Sequence, residues 1–513
     1  MSSETAIENS NGVRTDDDHA ASDHYETAPE DRISLLHKVI YGLGAFVNNI
    51  LAAAIGSMAI VLNLGLGMSP TLVGLLGSLP RLTDAITDPL MGFISDNTRS
   101  RWGRRRPYIF IGAILAGVTF ALLWQLPVGA SEAYYFWYFL IGSIIFYLGY
   151  TIFATPWVAL GYELTPDYHE RTRLMAVQNF MGQLAYIVSP WFLAIMQAAM
   201  FTDMVEGAAY LAIGIGALAI AVGVLPAIFL RERFAHAAPE LTATPDLTPQ
   251  PTGVVEKVTL WQAVKRNMVA FFNGLLITLQ VGPFLKLCAA TFLVFNGFIL
   301  ISSFQSYVII YYVFGGDTEA GAKYVGYSGS IGAVSTFLVI AMVTWMSTKV
   351  GKRKAFFAAM WISIAGYVLK WFCYNPDLPW LLLFPPVLMA FGLGALFTLM
   401  PSMVADVCDY DELQTNERRE GMFGSIFWWV VKLGMAAALA GGGVLLDFTG
   451  FDVALEGNQT GQAIFLMRLF DVVIPIIGTL LAIWAVYSFP ITEEKAHEIR
   501  LELEARRGKA VAE

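Results

Sequence analysis

Apolar residues in this chain come in long blocks separated by short polar connections. About twelve blocks reach the ~20 residues a helix needs to cross a bilayer core. They fall near 39–64, 69–95, 107–127, 133–163, 172–200, 207–231, 283–314, 324–348, 355–374, 378–405, 421–446 and 462–489. A segment in lipid must satisfy its backbone hydrogen bonds internally, and no alternating ten-residue barrel pattern competes. The pattern therefore predicts an all-α membrane protein with twelve transmembrane helices.

The polar interruptions organise these blocks. HAAPELTATPDLTPQPTGVVEK at 236–257 is rich in proline and threonine and reads as a flexible linker. The run after it, 259–280, suits an amphipathic helix on the membrane surface or a helix packed under the bundle. The expected organisation is an acidic disordered tail (1–34), a six-helix half (35–231), a linker with its helix (232–281), a second six-helix half (282–489) and a tail (490–513). The halves echo each other: RSRWGRRR after the second block corresponds to STKVGKRK after the eighth, and ELTPDYHERTR to ADVCDYDELQTNERRE. Two such repeats suit the two-half architecture of secondary transporters.

Composition agrees with lipid. The chain is 56% hydrophobic and 14% charged, against roughly 45–50% and 25% in soluble domains. The net charge of −9 says little about partners, because much of the acid lies in the tail, at Asp16, Asp17, Asp18, Glu26, Glu30 and Asp31. That tail has no apolar core and is expected to be disordered rather than a signal peptide. Lysine and arginine collect in the connections after even-numbered blocks, which places both termini in the cytoplasm of a multi-pass cell-membrane protein. The expected partners are the bilayer and a small molecule, with no nucleic acid and no cofactor. Cys288, Cys373 and Cys408 are far apart and carry no disulfide or metal signal.

The chemistry concentrates in RLTDAITDPLMGFISDNTRSRWGRRRPY at 81–108. Asp84 and Asp88, four residues apart, share a helix face, with Arg81 close to that side. A charge at the bilayer centre costs ~2.5–3.5 kcal/mol even on a lenient scale, and two carboxylates one turn apart repel. A partner such as Arg81, a proton, or a metal cation must lie between them. Sodium suits the pair, since a hard monovalent cation takes carboxylate and hydroxyl oxygens, and Thr83, Thr87 and Thr151 supply hydroxyls. All six histidines lie in tails, loops or helix ends, so a proton route would run through carboxyl groups.

The arginines after the carboxylates anchor helix ends by topology. As a functional alternative, Asp96, Arg99, Arg104, Glu163, Arg171, Asp406, Asp409 and Glu412 border one surface and would latch a cytoplasmic gate. Other intramembrane charges are Lys432, Arg468 with Asp471 (expected to pair) and Lys370 (expected to snorkel). No enzyme is expected: no GxxxxGK[ST] loop occurs, and the GYSGS at 326–330 has no histidine base on any span.

DAITDPLMGFISDNTRSRWGRRRPY resembles the signature of the glycoside-pentoside-hexuronide:cation symporters, a major facilitator branch typified by the melibiose permease. YGLGAFVNN (41–49), YTIFATPWVAL (150–160), ADVCDYDE (405–412) and WVVK (429–432) resemble family segments in the same order, over about residues 35–490. The resemblance implies that Asp84 and Asp88 bind the cation, that Thr151 contributes a hydroxyl, and that Lys432 lies near both cation and sugar. Two aspartates that hold sugar hydroxyls in the melibiose permease correspond to Asn49 and Ala154, and its stacking tryptophan to Val158, which argues against a galactoside. Asn49, Tyr150, Trp157, Trp428 and Lys432 are the expected substrate contacts. The expected function is symport of a sugar or glycoside by alternating access, coupled to Na⁺ or alternatively H⁺ or Li⁺. The alternatives are a cation-coupled carrier of lysolipids or other amphiphiles and a non-transporting sugar sensor.

Overall fold

The computed structural model describes residues 29–98, 100–165, 168–232, 269, 278, 280–415 and 420–507. Residues 1–28 of the acidic tail lie outside the described residues, as do the linker and the helix expected at 259–280 apart from isolated positions. The main helices are α1 (Leu35–Met58), α2 (Pro70–Ser78), α3 (Arg81–Asn97), α4 (Arg106–Leu123), α5 (Glu132–Glu163), α6 (Tyr168–Val188) and α7 (Met204–Gly223). After the linker come α8 (Gly282–Tyr307), α9 (Thr318–Val350), α10 (Lys352–Cys373), α11 (Pro385–Thr415), α12 (Glu420–Phe448), α13 (Gly461–Tyr487) and α14 (Glu493–Arg507). No strand occurs among the described residues. Ser131, Asp317 and Thr460 cap α5, α9 and α13 through side-chain oxygens that accept backbone N–H groups.

Among the described residues, eleven helices are long and apolar enough to cross a membrane. The block at 69–95 differs from the single span expected there. It forms the two helices α2 and α3, which meet at Leu79 and Pro80. Pro80 has no N–H to donate, and the ladder continues through the short bonds from Leu82 to Leu79 and from Thr83 to Pro80. Arg81, Asp84, Asp88 and Asp96 also make α3 too polar to resemble an ordinary span. The expected C-terminal tail forms α14, which packs on α11 with Ile499 and Leu503 buried.

One apolar core fills the N-terminal helices and continues into Phe304, Ile309, Leu446 and Met467 at one end of the C-terminal helices. A second core is confined to residues between Phe284 and Leu503. The halves are thus fused at the end away from the basic connections and have separate cores at the basic end. At the fused end, Tyr307 donates to the buried Asn63 Oδ1 at 2.7 Å, and Trp191 Nε1 donates to Ser330 Oγ at 2.8 Å. Thr71 donates its N–H to Asp447 at 2.9 Å. There α2 and α12 cross backbone to backbone: a Cβ on Gly74 would stand 2.5 Å from the Leu439 carbonyl oxygen, and one on Gly443 would strike Pro70.

Candidate functional site

Helix α3 begins after the Pro80 break and carries Asp88 two turns in. Three groups meet there. Thr151 of α5, itself buried, donates its hydroxyl to Asp88 Oδ1 at 3.0 Å, and Lys432 of α12 donates from Nζ to Oδ2 at 2.6 Å. The Thr87 hydroxyl lies 3.5 Å from that of Thr151. The pair spans the two halves, yet the side chains of Lys432 and Asp88 remain 52% and 32% exposed. Lys432 lies mid-helix on the face turned to the other half, so this exposure marks a wet cleft between the halves, closed at the fused end. Carboxylate and hydroxyl oxygens are the donors a hard monovalent cation takes, and the Lys432 ammonium already rests on that carboxylate. Asp84 lies one turn before Asp88 on α3, and its side chain is outside the described residues.

One turn before Lys432, the half-exposed Trp428 stacks on Phe397 at 6.3 Å and 10° and forms an aromatic ledge. Tyr150 donates to the Asn48 carbonyl at 3.4 Å. Asn49, expected at sugar hydroxyls, spends its amide on packing: Nδ2 donates to the Gly182 carbonyl at 3.0 Å, and Oδ1 accepts from Asn48 at 3.1 Å. Trp157 is corrected from substrate contact to core residue. It is 2% exposed, stacks on Tyr41 at 5.2 Å and donates Nε1–H to the Tyr41 carbonyl at 3.1 Å. Its helix face points at α1, where Gly44 leaves room for the indole.

The expected gate divides. Arg104 and Arg105 both reach Glu163, and Lys352 reaches Asp406 at 2.7 Å. These pairs run within a half, not across the mouth of the cleft. Arg171 donates to the Thr165 carbonyl at 3.2 Å. Asp409 and Glu412 lie near the end of α11. The Asp96 side chain and Arg99 fall outside the described residues.

Several charged groups have roles that sequence reasoning missed. Glu232 accepts the backbone N–H groups of Arg104, Arg105 and Arg106 at 2.9, 2.8 and 3.0 Å. Glu170 accepts from the Ile33 N–H at 2.9 Å and pairs with Lys38 at 2.7 Å. Lys370 does not snorkel but pairs with Asp471 at 2.7 Å, with side chains 1% and 2% exposed. Arg468 instead donates to the Trp371 carbonyl at 3.0 Å and lies over the Tyr312 ring at 3.8 Å. The one available signal was a lone lysine, Lys370, in an apolar block of the same half as Asp471, since a charge in lipid needs a counter-charge.

Residues 40–493 match the family described as MFS/sugar transport protein. The chain is similar to the glucuronide carrier protein homolog of Escherichia coli, at 24% identity over 91% of this chain and 95% of the relative. It is also similar to the mouse sodium-dependent lysophosphatidylcholine symporter 1, at 23% identity over 94% of this chain and 91% of the relative. Its fold resembles the inward-facing, unoccupied crystal structure of a bacterial homologue of the lysosomal transporter Spinster. That match has a TM-score of 0.62 and 16% identity and covers 89% of this chain and 98% of the other.

Proposed function

Because the chain belongs to the MFS/sugar transport family, we propose that it is a sodium-coupled symporter of a sugar or glycoside, working by alternating access between its two halves. The observation that carries this reading is Asp88, held by Thr151 within one half and reached by Lys432 from the other. A sodium ion arriving at Asp84 and Asp88 takes over the counter-charge that Lys432 supplies. The freed ammonium then turns toward the substrate, with the Trp428–Phe397 ledge beside it. Since the pair bridges the halves, replacing it changes what holds them together. Coupling is reciprocal, so substrate tightens sodium binding as sodium tightens substrate binding.

The basic connections support a cytoplasmic location for the open end of the cleft and for both termini. A second reading, transport of a lysolipid, draws support from the exposed aromatic ledge, which would carry an apolar body as well as a sugar ring. The test is uptake of labelled glycosides, uronides and lysophospholipids into proteoliposomes under an inward Na⁺ gradient, an inward H⁺ gradient or neither. Sodium-driven accumulation of a glycoside is the expected result. Accumulation of lysophospholipid alone would replace the substrate class, and saturable binding without flux would overturn transport.

A further inference from the structure

The first turn of α2 is capped from two directions. Pro70 has no N–H to satisfy, and the Ser69 hydroxyl accepts the Leu72 N–H at 3.3 Å within the same half. The Thr71 N–H goes instead to Asp447 Oδ2 on α12 at 2.9 Å, and the Thr71 hydroxyl donates to the same oxygen. Asp447 is half-buried near the end of an apolar run, GGGVLLDF at 441–448, where a carboxylate needs donors. Among the described residues, both of its hydrogen bonds come from the other half. The N-terminus of α2 favours that negative charge. One turn away the two helices cross at Gly74 and Gly443, and the charge of Asp447 reaches Tyr307, which holds Asn63 across the same end.

We propose that Asp447 is a latch of the outer gate: its carboxylate caps α2 only while the halves are closed at this end, and the strength of that cap sets the balance between inward-open and outward-open forms. This rests on the alternating-access reading above. When the halves part at the fused end, the carboxylate and the Thr71 N–H each return to water, and the closed form alone keeps the charge-assisted bonds between them. Helix α12 also carries Lys432, about 22 Å nearer its start. One helix is therefore tied to α3 at the cation site and to α2 at the latch. Sodium that takes over from Lys432 frees α12 at the first tie, and the Asp447 tie to α2 then resists opening of the outer end.

The test measures the separation of the outer ends in the full chain in proteoliposomes, without sodium or substrate, by electron paramagnetic resonance between spin labels. The labels sit at Val128→Cys and Leu455→Cys, exposed positions in the α4–α5 and α12–α13 loops, and the native Cys288, Cys373 and Cys408 are buried. The otherwise unaltered chain is expected to show mainly the short distance. Asp447→Ala is expected to raise the ratio of long to short distances by at least about tenfold, and Asp447→Asn, which keeps an acceptor without the charge, by less. Thr71→Val removes only the hydroxyl bond and serves if Asp447→Ala fails to fold; a rise of about threefold is expected there. An unchanged ratio in the folded variants would overturn the latch, and a lower melting temperature with no added long-distance population would show a cap that only holds the fold together. Because neither sodium nor substrate is present, an unchanged ratio leaves the symport reading standing, and failure of uptake leaves the latch standing.

Discussion

Among the described residues, two lysine–carboxylate pairs lie inside the apolar bundle, and they differ sharply in exposure. Lys432–Asp88 joins the two halves across a wet cleft, with both side chains substantially exposed. Lys370–Asp471 joins α10 to α13 within one half and is sealed, with Tyr374 and Tyr367 also buried nearby. Water and ions can substitute for a partner at the first pair, so breaking it costs little. Nothing can substitute at the second, so it fixes the packing of its half and has no means of switching.

The largest effect expected from this contrast is at the sealed pair. Lys370→Met should destabilise the protein by about 3–5 kcal/mol, because it strands Asp471 without a counter-charge. Thermal unfolding in detergent measures this. The double variant Lys370→Met/Asp471→Leu should recover most of the loss, and an unchanged melting temperature for the single variant would show that the pair is not sealed.

At the wet pair, Asp88→Asn should cost at most about 1 kcal/mol of stability, yet reduce sodium-driven accumulation to the background of empty vesicles. Full accumulation by this variant would remove Asp88 from the coupling site. Lys432→Ala should bind sodium more tightly in the absence of substrate, since the competing ammonium is gone, while its coupled uptake falls. Isothermal titration with sodium reads the first effect, and weaker sodium binding would mean that Lys432 supports the ion instead of competing with it.

The smallest effect is outside the membrane, at Glu170. Burial raises its carboxyl pKa, but hydrogen bonds from Lys38, the Ile33 N–H and Arg173 outweigh that and leave it below the ordinary value of 4.5. A depressed pKa stabilises the fold above the unfolded value, and that contribution disappears as pH falls through the folded value. The protection factor of the Ile33 amide, its exchange rate relative to an unprotected amide at the same pH, should therefore stay high at neutral pH and fall only on acidification below the ordinary carboxylate range. Glu170→Gln should remove this pH dependence.

The internal repeat was legible from local sequence and carries through to geometry. Gly103 and Gly351, the glycines of RSRWGRRR and STKVGKRK, both adopt positive φ, +106° and +84°. The basic residue after each, Arg104 or Lys352, then reaches the first acid of the matching second motif, Glu163 or Asp406. A tight turn with a fixed basic neighbour is encoded within a few residues, so it can be read directly. The partners of Lys370 and Glu232 could not be read this way, because each lies more than 100 residues away.

Trp157 shows a second limit. Helix α5 is apolar on most faces, so no hydrophobic stripe tells which side turns to the cleft and which to α1. Asn49 is similar: its amide is as able to hold a sugar hydroxyl as a backbone carbonyl, and the close approach of α1 to α6 at Gly182 assigned it to the carbonyl.

The amino-acid pattern alone determined a helical membrane protein, the repeated glycine-basic turns of its two six-helix stretches, the clustering of basic residues in alternate connections and a carboxylate pair that is costly in lipid without a counter-charge. These follow from the free energy of placing charge and backbone in lipid, which acts on each segment separately. Only the tertiary structure decided that Lys432 rather than Arg81 holds Asp88, that Lys370 is sealed against Asp471 and that Trp157 belongs to the core. Those outcomes depend on which helix faces meet and where water remains, and no stretch of the chain contains that information by itself.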